Sequence, residues 1–218
     1  MRTIAFVTQK GGSGKSTIAS SLAVCAHDAG EKVFIIDMDP QASLVKWAKA
    51  RGEASLPVEA VTSAKLSQAL ALMEKRGITL VVIDTPGTDS IEAKAAMKHA
   101  DLCIIPARPN VFDLWASDLT RKALREMKRE FVFLLNQCPP AQQTARVEEG
   151  AKALEAMGGL ITPLVAARVD YQESARHGLG VTEFNANGAA AEEMRKLWSS
   201  VKKRLNRGKA AAGAKKAA

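Results

Sequence analysis

The sequence predicts an α/β protein: a predominantly parallel, twisted sheet flanked by helices on both faces. Three observations predict it. Short Ile- and Val-rich runs bounded by Gly, Pro or Asp recur along the chain. Segments of helix formers, with apolar residues three and four apart, separate them. The two kinds alternate, and 218 residues are enough for one domain of this class.

The strands in order are Thr3–Thr8, Lys32–Asp37, Thr79–Asp84, Asp101–Pro106 and Glu130–Asn136, with weaker candidates at Pro57–Val61 and Leu160–Val165. Helices are expected over Lys15–Ala29, Ala42–Arg51, Ala64–Arg76, Ile91–His99, Trp115–Lys128 and Gln142–Met157. A final helix from about Gly188 to Leu205 carries Met194, Leu197, Trp198, Val201 and Leu205 on one stripe. The remainder, NRGKAAAGAKKAA, is of low complexity and is expected to be a disordered basic tail. The chain therefore divides into one domain over residues 1–205 and a tail over 206–218.

Composition narrows the class further. The apolar fraction is 47% and the charged fraction 25%, which excludes wholesale disorder. No apolar run is long enough to span a membrane, and the first residues lack the apolar core of a signal peptide, so a cytoplasmic location is expected. Cys25, Cys103 and Cys138 are far apart with no C-x-x-C pair, and His27, His99 and His177 are equally scattered. Buried thiols are expected rather than a metal or redox centre. Six Phe, three Trp and one Tyr are too few for a base-stacking surface.

The formal net charge of +8 is concentrated at one end. Lys202, Lys203, Arg204, Arg207, Lys209, Lys215 and Lys216 are accompanied by no acid, and residues 1–201 hold 24 bases against 23 acids. A second cluster, Arg121, Lys122, Arg125, Lys128 and Arg129, is interrupted by Glu126 and Glu130 and reads as a solvated helix face.

The most informative segment is QKGGSGKST, Gln9–Thr17, between the first strand and the first helix. Glycines let backbone N–H groups close around phosphate oxygens, and a helix N-terminus aims its dipole at the anion. Gly11, Gly12, Ser13, Gly14, Lys15, Ser16 and Thr17 are the candidate cradle. Lys15 is placed for the β/γ-phosphates and the Ser16 hydroxyl for Mg²⁺. Gln9 stands where the usual phosphate loop has its first glycine, and a second lysine, Lys10, precedes Lys15 by five residues.

Two strand ends carry carboxylates. IIDMDPQAS places Asp37 and Asp39 after the second strand, and LVVIDTPG ends on Asp84 with Gly87 beyond it. Carboxylates at the carboxyl ends of strands beside a phosphate loop can hold Mg²⁺ or orient water. Asp-Pro is also ordinary strand-end punctuation.

On these three segments the chain resembles the deviant Walker A ATPases of the ParA/MinD family, over essentially residues 1–205. The resemblance implies ATP and Mg²⁺ as cofactors and an ATP-sandwich homodimer in which Lys10 reaches the partner's phosphates. It further implies that Asp39 positions the attacking water, that Asp37 supports the switch and metal shell, and that Asp84 holds Mg²⁺ with Ser16. Gly87 would offer an N–H near the γ-phosphate, and Asn136, ending FVFLLNQ, would bond adenine or merely turn the chain. Ile104–Ala116 is similar to the family's proline-containing strand end and dimer-facing helix, with Pro106, Pro109 and Asp113 equally readable as turn residues. Val165–Phe184 resembles the ParA stretch with an arginine, a short helix and a glycine before an acid.

Within the family, a short ParA type fits best: a slow ATPase that binds nonspecific DNA as the ATP dimer and positions a plasmid, chromosome region or protein assembly. Such a protein would be associated with the nucleoid and activated by a ParB-like or other adaptor. Arg168, Arg195, Lys196, Lys202, Lys203 and Arg204 are the candidate DNA contacts. With the first strand at Thr3, no N-terminal operator-reading domain is expected. A MinD-like membrane-associated positioning ATPase is the alternative, although nothing after Leu205 is bulky and apolar. A metabolic enzyme of the same fold is the second.

Overall fold

In the computed structural model, residues 1–52, 55–140 and 144–217 are described, with side chains through residue 207. The elements are β1 (Arg2–Phe6), α1 (Lys15–Asp28), β2 (Val33–Asp37), α2 (Ser43–Arg51), β3 (Val58–Ala60), α3 (Ser63–Lys75), β4 (Leu80–Asp84) and α4 (Ile91–His99). They continue with β5 (Leu102–Ala107), α5 (Val111–Glu126), β6 (Phe131–Leu135), α6 (Ala145–Gly158), α7 (Val169–Arg176), α8 (Val181–Phe184) and α9 (Ala189–Ala217).

All strand pairings are parallel, in the order β3-β2-β4-β1-β5-β6. Successive residues of β1 point to opposite faces, as strand geometry requires. Ile4 and Phe6 join a core with α1 and α9, including Ile18, Leu22, Leu197 and Val201. Ala5 and Val7 join a second core with Leu66, Leu70, Met97, Leu124 and Leu154 from α3 to α6. The sheet is thus covered on both faces, as the near-continuous apolar strands predict.

Register brings the chemistry together. Phe6 pairs with Asp84, and Asp37 pairs with Asp84 on the other side, so β1, β2 and β4 end level. β1 then runs into the glycine-rich loop, and the two aspartates stand at its flank. This is the carboxyl edge of a parallel sheet, where open α/β folds bind ligands.

Three expectations change, and one falls outside the described residues. α5 begins at Val111 rather than Trp115, because the Asn110 side chain accepts from the Asp113 N–H and caps the helix. The Leu160–Val165 segment forms no strand; it makes single bridges, Phe133 to Leu160 and Cys138 to Ala166. Pro163 within it has no N–H to give a ladder. The expected start of α6 at Gln142 lies outside the described residues, and the helix is described from Ala145. α9 continues to Ala217 where a disordered tail was expected; Ala and Lys, which dominate that segment, are among the best helix formers.

The apolar stripe of α9 is buried: Met194, Leu197 and Val201 fully, Trp198 and Leu205 nearly so. Cys25, Cys103 and Cys138 are free, buried thiols, and burial pushes the pKa of each up, as expected of small core residues. Among the described residues no helix is long and apolar enough to cross a membrane.

Candidate nucleotide site

The loop after β1 is held in shape from below and from the side. Gly12 and Gly14 adopt positive φ, 75° and 88°. At Gly14 there is also no room: a Cβ would come within 2.3 Å of Asn136 Nδ2. Asn136 follows β6 and donates its amide to the Ser13 carbonyl at 2.8 Å, and its neighbour Gln137 donates to the Gly12 carbonyl at 3.1 Å. On another side Gly87 packs backbone to backbone, since a Cβ there would meet Gly11 Cα and N at 3.0 Å. The Gln9 N–H donates to Thr120 Oγ1 of α5 at 3.2 Å. The loop is therefore clamped by the segments after β4 and β6 and by α5.

Its side chains are arranged for an anion and a cation. Lys15, only 7% exposed, lies over the loop with Nζ donating to the Lys10 carbonyl at 3.4 Å. Burial lowers its pKa, and the charges of Asp84 and Asp39 oppose that shift. Ser16 Oγ donates to Asp84 Oδ2 at 2.5 Å. Asp84 Oδ1 and Ser13 Oγ are buried without a hydrogen-bond partner. Burial pushes the Asp84 pKa up to about 7, aided by Asp37 and Asp39 and resisted by Ser16 and Lys15.

A buried carboxylate oxygen without a partner is costly, and a bound cation would relieve that cost. The donor set suits Mg²⁺, which takes one or two protein oxygens together with phosphate oxygens and water. The residues present fit a magnesium–nucleotide ligand.

Asp37, expected near the metal shell, is engaged otherwise. Oδ1 accepts from the Asp39 N–H at 3.1 Å, and Oδ2 accepts from Leu44 and Val45 at 2.8 and 3.1 Å. It thereby satisfies backbone N–H groups at the start of α2, whereas Asp84 keeps one oxygen without a partner. Asp39, half-buried, accepts from the Gln41 N–H at 2.9 Å and turns the chain between β2 and α2. Lys10 is half-buried on the loop itself.

A cavity of about 340 Å³ opens beside the loop, lined among others by Gly14, Thr17, Asn136, Gln137, Arg168 and Tyr171. Arg168, placed by sequence among the DNA contacts, is a wall of this cavity. Its guanidinium is fixed by Glu193 at 2.6 Å.

The remaining basic candidates lie on α9, and most have acidic partners. Lys196 pairs with Glu192 at 2.6 Å, Lys202 with Glu31 at 2.9 Å and Arg204 with Glu130 at 3.4 Å; Arg195 donates to the Ala186 carbonyl. Lys203 is exposed and pairs with no acid among the described residues. Glu31 and Glu130 precede β2 and β6, so these contacts mark the amino edge of the sheet, opposite the loop.

Two residues escaped the sequence reading. Arg108, just past β5, has Nη1 3.9 Å from where a Gly12 Cβ would stand, and it pairs with the buried Asp113 at 2.9 Å. Its signal was an arginine at a strand's carboxyl end beside segments already singled out. Gln137 had no signal beyond adjacency to Asn136.

Residues 1–149 match the family model described as "AAA domain". The maintenance of carboxysome distribution protein A of Gloeobacter kilaueensis is 31% identical over 88% of this chain and 89% of its own length. Its counterpart in Halothiobacillus neapolitanus is 28% identical over 91% and 95%. Apo McdA from Cyanothece superposes with a TM-score of 0.76 at 16% identity, covering 94% of this chain and 99% of that one. MinD from Pyrococcus horikoshii, solved as a complex with Mg-ADP, gives 0.73 at 18%, covering 95% and 98%. With its order of motifs and its site geometry, this chain belongs to the ParA/MinD family of P-loop ATPases.

Proposed function

We propose that the chain is a ParA-type positioning ATPase that binds MgATP, dimerises around it and holds nonspecific DNA in that state. The observation that carries this reading is the partnerless, buried Asp84 Oδ1 beside Ser16 and Lys15 at the mouth of a glycine loop. The backbone N–H groups of Gly11–Thr17 and the Lys15 ammonium would bind the phosphates, and Ser16 and Asp84 would hold Mg²⁺. Bound there, the ion neutralises charge developing on the phosphates. Asp39 orients the attacking water, and the cavity by Asn136 receives the adenine. One carboxylate orienting water is a modest catalytic set, so turnover is slow until an adaptor, ParB-like or otherwise, stimulates it.

Dimerisation is supported by an unpartnered face continuous with the site. Phe112 and Trp115 at the start of α5 are 66% and 64% exposed and pack edge-to-face, on the same helix whose Thr120 accepts from the Gln9 N–H. Lys10 points the same requirement: a second lysine on a loop whose phosphate position is already filled by Lys15. We assign DNA binding to Arg195, Lys196, Lys202, Lys203 and Arg204 on α9, and Arg168 to the nucleotide cavity. The relatives named for carboxysome distribution favour a protein assembly as cargo, and DNA binding by α9 would place it over the nucleoid in the cytoplasm.

DNA retention measured with ATP, ADP and no nucleotide tests the reading. Retention is expected only with ATP, falling steeply as salt rises, and weakened about tenfold or more in the Lys202→Glu/Lys203→Glu/Arg204→Glu variant. Equal retention with ADP and ATP would refute it.

A further inference from the structure

A second hollow lies away from the nucleotide. It encloses about 480 Å³ between α4 and the turn joining α5 to β6, and is lined by Ile91, Lys94, Ala95, Lys98, Met127 and Arg129. The four α4 residues fall at i, i+3, i+4 and i+7, one face of the helix. Ile91 follows the capping Ser90 directly and is 73% exposed. Ala95 and Met127 pack on the core beneath, so the floor is apolar.

The rim is cationic. Lys94 pairs with Asp89 at 3.0 Å, while Lys98 and Arg129 have no acidic partner among the described residues. On α5, by contrast, Arg121 and Lys122 are both answered by Asp118. A phosphodiester backbone offers nothing apolar to such a floor. A peptide with one or two apolar side chains flanked by Asp or Glu matches both floor and rim.

We propose that this hollow docks an acidic amphipathic segment of a partner protein. Ile91, Ala95 and Met127 receive its apolar anchor, and Lys98 and Arg129 its carboxylates. This is independent of DNA binding by α9 and uses none of the nucleotide-site residues. It also has a short path to that site: Gly87, against Gly11, is four residues before Ile91.

Fluorescence anisotropy of the full chain tests it with a labelled synthetic helical peptide bearing Leu flanked by Glu, its Lys-for-Glu counterpart, and phosphatidylglycerol vesicles. The acidic peptide is expected to bind saturably and its charge-reversed counterpart not to bind. Lys98→Glu/Arg129→Glu should weaken binding about tenfold or more, and Ile91→Ser about fivefold, with circular dichroism and basal ATP hydrolysis unchanged. Lys98 and Ile91 are exposed and Arg129 is half-buried, and circular dichroism separates loss of folding from loss of docking. Binding unaffected by these substitutions, equal binding of the charge-reversed peptide, or vesicle binding that alone depends on Lys98 and Arg129 would overturn the proposal.

Discussion

The two ends of the sheet treat polar groups in opposite ways. At the carboxyl edge, Lys15, Ser13 and Asp84 are buried, and two oxygens among them have no partner. At the amino edge, the basic residues of α9 reach Glu31 and Glu130 and are exposed to water. Charge alone would have pointed to α9, which carries most of the excess. The unanswered groups point to the loop, because a fold tolerates their desolvation only where a ligand completes them. The charged helix stores little tension: surface pairs are worth about 0–1 kcal/mol and exchange readily for phosphate contacts.

The contrast can be tested by substitution, from the largest effect downward. Lys15→Ala should weaken nucleotide binding by at least about 100-fold in calorimetric titration, since a buried ammonium aimed at phosphate has no substitute. Comparable affinity in that variant would place the anion elsewhere. Asp39→Ala should slow hydrolysis about 100-fold while leaving nucleotide affinity nearly intact, read by steady-state phosphate release. An unchanged rate would remove Asp39 from water positioning.

A smaller effect belongs to the clamp between α2 and α8. Arg51 donates to both oxygens of Glu183 at 2.6 and 2.7 Å, and Glu183 accepts from the Gly180 N–H at 2.9 Å. Burial raises the Glu183 pKa, but Arg51 and that N–H outweigh it, so the folded value lies below the ordinary one. The stabilisation is therefore complete above the unfolded glutamate pKa and is lost as pH falls through the folded value. Glu183→Gln should cost about 1–2 kcal/mol near neutrality, the part-exposed carboxylate keeping it below a sealed pair. In urea unfolding, the gap from wild type should narrow in acid; a constant gap would deny the ionic contribution.

Much of this was legible in the sequence because it is written in local rules. The five apolar strands fall within a residue or two of expectation, since burial on both faces demands unbroken Ile and Val. The phosphate loop was legible because only glycine meets the needs of its backbone. What stayed hidden depends on contacts between distant segments. Nothing near Asp37 says that its carboxylate caps α2, and nothing near Arg168 announces Glu193, 25 residues away. The early start of α5 was missed because Asn110 and Asp113 read as well in a turn as in a helix cap. The helical continuation past Leu205 is hidden because a low-complexity run of alanine, glycine and lysine reads as readily as coil as helix.

The meeting of Gly87 with Gly11 has a mechanical consequence. Because Gly87 has no side chain, its main chain lies against that of Gly11 with no room for a Cβ between them. A shift of Gly11 toward Gly87 would press on that main chain, and α4 starts four residues beyond it. The phosphate-loop backbone and the start of that helix are thereby mechanical neighbours, joined by a backbone contact and a short stretch of chain.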